Sequence, residues 1–137
     1  MKISSVSILR LMFILGVAVD GAIAASWFLI ASGAGIPNIL NGYTGDGPDY
    51  QLAMYIAAMF MMGWTILLAW GAIKPLERRD LLLITSALLL LSVVVELVIY
   101  RDILGGSGFV FGVTKRLVLS TAAMAVYFYS FRRQLKV

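Results

Sequence analysis

The chain has 137 residues, 61% of them apolar and only 13% charged, with a net charge of +4 and a mean hydropathy of +0.96. Soluble domains lie nearer about 45–50% apolar and about 25% charged, so lipid rather than water must solvate most of this surface, and the length suits a single domain over 1–137. The absence of cysteine and histidine excludes disulfides, Cys/His zinc sites, iron–sulfur clusters and His-ligated haem, and the basic residues form no stripe with interleaved aromatics of the kind that binds nucleic acid.

A hydrocarbon core of about 30 Å takes about 20 helical residues to cross. Four stretches meet or approach that length: 11–32, 50–73, 81–100 and 110–131. No alternating strand pattern competes, and backbone groups in lipid must pair within their own segment. The expected fold is therefore all-α: a polytopic membrane protein with four transmembrane helices in an antiparallel up-down bundle.

The opening resembles a signal peptide, with Lys2 and an apolar run ahead of Ala22-Ile23-Ala24, but Arg10 and Asp20 interrupt that run. The segment is expected to remain as the first helix. Asp20 lies near its middle, apolar on both sides. At about 100° per residue, Phe13, Gly16, Val17, Ala24 and Trp27 share its face. Gly16 and Ala24 stand one turn either side and let a second helix approach. A lipid-facing charge costs about 3 kcal/mol or more, so Asp20 is expected to face the bundle or a protein partner.

The following loop contains Asn41, Asp46 and Asp49 without the spacing of a calcium loop, and reads as turn chemistry. The second helix carries Gln51, Tyr55, Ala58, Met62 and Thr65 along one face. Trp64, Met54, Met61 and Met62 read as lipid-facing or packing residues rather than a cofactor box. The KPLERRD segment, 74–80, reads as a topology anchor with Pro75 opening a helix, and more weakly as a phospholipid-headgroup site.

In the third helix Thr85, Ser92, Glu96 and Tyr100 fall on one stripe, with Leu89 between them. A glycine-rich turn over 102–112 leads to the fourth, where Arg116, Ser120, Ala123, Tyr127 and Ser130 share a stripe and Lys115 points elsewhere. The apolar run 117–131 spans about 22 Å, short of the core thickness. Either Lys115 and Arg116 snorkel outward, or an acid holds one of them inside. With all four polar faces turned inward, Asp20, Glu96, Arg116, Gln51, Tyr55 and Tyr100 would form one cluster open toward the outer side, Arg116 neutralising Glu96 and Asp20 lying deeper.

Lysine and arginine counts orient the chain. Lys2 and Arg10, then Lys74, Arg78 and Arg79, then Arg132, Arg133 and Lys136 make eight on one side; Arg101, Lys115 and Arg116 make three on the other. The positive-inside rule places both termini in the cytoplasm, with Trp27 at the outer interface and Trp70 at the inner one.

The run YQLAMYIAAMFMMGWTILLAWGAIKPLERRDLLLIT, with its GWT helix and KP-x-ERR turn, resembles a group of small bacterial and archaeal four-helix membrane proteins of uncharacterised function, and Val19-Asp20-Gly21 fits the same group. The resemblance covers the first three helices. It implies four helices and a prokaryotic inner membrane, and brings no activity, cofactor or site.

No nucleophile–base pair, phosphate loop or metal set occurs, so no catalytic residue, cofactor or metal is expected. Small size, negligible soluble parts and small-residue faces point to a non-catalytic accessory subunit of a larger membrane complex, with the lipid bilayer and other subunits, or further copies of itself, as partners. The alternative is a small self-associating proton- or ion-coupled transporter that uses Asp20 and Glu96. An enzyme acting on lipid or quinone is a third class.

Overall fold

The computed structural model describes residues 4–36, 45–100 and 106–134, the side chains of residues 106, 107, 133 and 134 excepted. Lys2, Asn41, Arg101 and Lys136, with the Arg133 side chain, lie outside the described residues. The elements are α1 (Ser5–Ala31), α2 (Gly47–Ile73), α3 (Asp80–Ile99) and α4 (Gly106–Gln134). All four are long and apolar enough to cross a membrane, which makes this an all-α, multi-pass membrane protein.

The helix ends differ from the expected ones wherever polar or flexible residues hide helical backbone. Helix α1 begins six residues earlier than the apolar run alone indicates, because the Ser4 hydroxyl caps it by accepting from the Ser7 N–H at 3.2 Å. Helix α2 opens at Gly47-Pro48, a proline in the first turn, with Asp46 at the N-cap position and Asp49 one turn in. The glycine-rich stretch expected as a turn over 102–112 is already helical at Gly106. Lys115 and Arg116 thus sit between two and three turns inside α4, not near its start. Pro75 does not open a helix: it is buried in the turn between α2 and α3, and α3 starts at Asp80.

That turn is fastened to its surroundings by arginines. The last carbonyls of a helix have no partner within it. Arg10 of α1 donates from Nε to the Ala72 carbonyl at 3.2 Å, and Arg78 donates from Nη1 to the Trp70 carbonyl. The Arg78 guanidinium also lies 3.5 Å from the centroid of the Trp70 ring, adding a cation–π contact. Arg79 stands over the rings of Tyr127 and Phe131 of α4.

Helix α1 packs along α2, α3 along α4, and α1 also against α4, whereas α2 and α3 scarcely touch. In one half of the molecule all four helices converge on Leu9, Met12 and Phe13 of α1, Leu68 of α2, Leu82 of α3 and Ala123 of α4. Close approach there depends on glycine. A methyl group added at Gly71 would run into the Phe13 ring, and one at Gly16 would lie 3.0 Å from Leu68 Cδ1. Alongside, the hydroxyls of Ser86 of α3 and Ser120 of α4 lie 2.8 Å apart, each also within hydrogen-bond reach of the other's carbonyl, so their two protons tie the helices together. In the other half the apolar cluster contains only α1 and α2: Ile23, Trp27 and Ile30 against Met54 and Ala58.

Candidate functional site

Where the two helix pairs part, they enclose a cavity of about 510 Å³ lined by residues of all four helices. Its apolar wall comes from Val19 and Ile23 of α1, Ala57 and Met61 of α2, Leu88 and Leu89 of α3, and Leu119 of α4, with the rings of Trp27, Phe60 and Trp64. Its charged groups are Asp20, Glu96, Lys115 and Arg116, with Ser92 one turn from Glu96; Thr85 lines it about three turns further along α3.

The strongest interaction there ties α3 to α4. Arg116 meets Glu96 through both carboxylate oxygens, Nη1 to Oε1 at 2.5 Å and Nη2 to Oε2. Both residues are more than nine-tenths buried. Nη1 also donates to the Ser92 hydroxyl at 3.1 Å, and Nε to the Gly112 carbonyl at 3.1 Å. A two-pronged guanidinium–carboxylate contact fixes orientation as well as distance. In a low-dielectric interior it is retained because removing one partner strands the other charge. Helix α4 can bury Arg116 because its stripe of Arg116, Ser120, Ala123 and Ser130 is buried along its length.

Asp20 is half-buried on the cavity wall and close enough to Lys115 for the two to attract electrostatically. No hydrogen bond to the Asp20 carboxylate is made among the described residues. The Trp27 indole N–H is likewise buried without an acceptor among them.

Of the six residues expected to cluster, the fold brings together Asp20, Glu96 and Arg116. The other three lie elsewhere. Tyr55 is exposed on α2 with its ring edge-on to Phe28 at 6.0 Å. Gln51, one turn before it, is also exposed, its amide near Gly33 at the end of α1. Tyr100 is exposed at the C-cap of α3. The reason is register: α2 buries Met54, Ala58, Thr65 and Leu68 against α1, which turns the Gln51–Tyr55 edge out of the bundle.

Sequence reasoning left Lys115, Trp64 and Met61 out of the polar cluster and did not single out Ser86. Lys115 shares the cavity with Arg116 although adjacent side chains diverge by about 100°, because a space bounded by four splayed helices subtends a wide arc of α4. Trp64 and Met61, read as lipid-facing or packing residues, stand on the cavity wall. Trp27, expected at an interfacial belt, is buried between α1 and α2. Ser86 lies one heptad before Val93, on the buried face of α3, a spacing that could have flagged it.

The arrangement offers hydrogen-bonding and charged groups at one end of an apolar space, the composition of a small-molecule site. Among the described residues no three His, Cys, Asp or Glu side chains gather as a metal set would. Comparison with protein-family models, with curated proteins and with solved structures gives no match. The family resemblance of the second hairpin gains no support from them, and the chemistry rests on the cavity alone.

Proposed function

We propose that the chain is a small proton- or ion-coupled carrier whose substrate occupies the cavity among its own helices. In this reading Asp20 is the exchanging carboxylate, and the Glu96–Arg116 pair holds α3 to α4 while the site loads and empties. The observation that carries it is the position of Asp20 on the wall of the chain's own cavity, beside Lys115 and within the same lining as the buried ion pair. Ionisable groups at membrane depth that face an internal space mark substrate and ion pathways more often than they mark passive packing. A non-catalytic role goes with it. With Lys115 and Arg116 inside α4, the basic residues of the connections and ends divide eight to one, which supports an antiparallel up-down arrangement with both termini in the cytoplasm. The resemblance of the second hairpin supports a prokaryotic inner membrane.

A second reading, the accessory subunit of a larger membrane complex, draws on α1. Ala18, Ala22 and Ala25 are exposed at successive turns and form a shallow outward face on which another helix could pack. The same face serves self-association of a carrier.

The test uses the full chain in proteoliposomes with an imposed pH gradient and an internal pH dye. The wild-type protein should dissipate the gradient faster than empty vesicles, and Asp20→Asn, extracted and melting like wild type, should not. An Asp20→Asn variant as fast as wild type overturns the carrier reading. Migration in fixed ratio with unrelated subunits after gentle extraction from its own membranes supports the accessory one.

A further inference from the structure

We infer that the cavity takes an uncharged amphiphile, an apolar body ending in a hydroxyl, which reaches it from the bilayer through the gap between α2 and α3. The inference rests on the cavity being the substrate site, and it names the substrate class.

Three observations lead to it. The first is access. Helices α2 and α3 scarcely touch beyond their connecting turn, and Phe60 on α2 and Leu88 on α3, both lining the cavity, are 78% and 49% exposed. In a membrane-spanning bundle such an opening faces acyl chains, so a ligand using it must already be dissolved in lipid. The second is volume and lining. At about 510 Å³ the space lies inside the range of about 300–1,000 Å³ that holds drug-sized ligands, and most of its wall is aliphatic or aromatic.

The third is the balance of charge and hydrogen bonding at the polar end. Two acids, Asp20 and Glu96, face two bases, Lys115 and Arg116, so the lining is formally neutral. An added net charge would be buried without a counter-charge, at a cost an uncharged head avoids. Glu96 and Arg116 already occupy each other, and the hydroxyls of Ser92 and Thr85 donate to the carbonyls of Leu89 and Leu81 in their own helix. Asp20 is the acceptor on this wall left without a hydrogen bond among the described residues. A hydroxyl donates to that carboxylate and brings no charge with it.

The experiment uses the full chain in phospholipid vesicles with a dodecanol analogue that carries a mid-chain diazirine. After irradiation, labelled positions are mapped by peptide mass spectrometry. Adducts are expected on Ala57, Met61, Leu89 and Leu119. Unlabelled dodecanol should suppress them, while dodecylammonium and dodecanoate at equal membrane concentration should compete about tenfold more weakly, as an unbalanced buried charge requires. Ala57→Trp should abolish the cavity adducts and Ile66→Trp, on the exposed face of α2, should leave them. Adducts as dense at Ile56 and Ile66 as in the cavity, or a charged amphiphile competing as well as the alcohol, overturn the inference. The competition readout needs no variant to fold. Loss of proton flux in Asp20→Asn without selective cavity labelling removes the ligand class and keeps the carrier. Selective labelling with unchanged flux in that variant keeps the ligand site and removes the carrier.

Discussion

At the level of Phe13 all four helices contribute to one apolar cluster; at the level of Asp20 the same four helices line a cavity. The two halves are built from different materials. The closed half uses glycine, alanine and serine to let backbones approach, and fills the remaining volume with Leu9, Phe13, Leu68 and Leu82. The open half leaves α1 packed on α2, with α3 joined to α4 through an ion pair. Lipid tails are as apolar as leucine, so apolar burial gives helices little reason to associate inside a membrane, and shape and polar contacts decide where they close. The comparison teaches that apolar side chains and close-approaching glycines gather all four helices in one half, whereas in the other the helices hold together as pairs, one by apolar packing and one by an ion pair.

The largest effect should come from the open half. Arg116→Met takes the guanidinium away from the buried Glu96 carboxylate, which should cost about 3–5 kcal/mol in reversible unfolding from mild micelles. Adding Glu96→Gln should recover a large part of that loss. Additive single effects would show that the pair does not hold α3 to α4.

In the closed half, Phe13→Ala should cost about 3 kcal/mol or more, since the ring is fully buried, while Phe60→Ala, whose ring is 78% exposed, should change unfolding little. Equal losses at the two positions would erase the distinction between the halves. Gly71→Ala drives a methyl group toward the Phe13 ring and should destabilise by about 1–3 kcal/mol, with Phe13→Leu in the same chain relieving part of it. The smallest change should be Ser86→Ala. It removes hydroxyl bonds to Ser120 that in membrane bundles contribute about 0.6 kcal/mol each, measurable as a modest shift in the same unfolding curves.

The fold class was legible because hydropathy over about 20 residues is a strong signal and lipid leaves the backbone one main option. The helix ends were less so. Ser5, Ser7 and Arg10 interrupt the apolar pattern before Leu11 yet are helical, and Gly106 to Gly112 look like a turn, since glycine tolerates a helix that its neighbours continue. For the site, stripe arithmetic placed Arg116 and Glu96 on faces able to meet, because each helix interior repeats every 3.6 residues regardless of its partners. It misplaced Gln51, Tyr55 and Tyr100. Which edge of a polar stripe points inward depends on how far one helix is rotated against the next, and that is set by packing at Met54, Ala58 and Phe13 rather than by the stripe itself. Lys115 was left off the inward stripe for the complementary reason: a cavity has width that a single helix face does not.

The arginine-fastened turn between α2 and α3 has a mechanical meaning. The two helices are joined at Lys74–Arg79 and approach each other little beyond it, and Phe60 stands 14 residues, about 21 Å, along α2 from Lys74. A tilt of about one-tenth of a radian would therefore move the rim by about 2 Å.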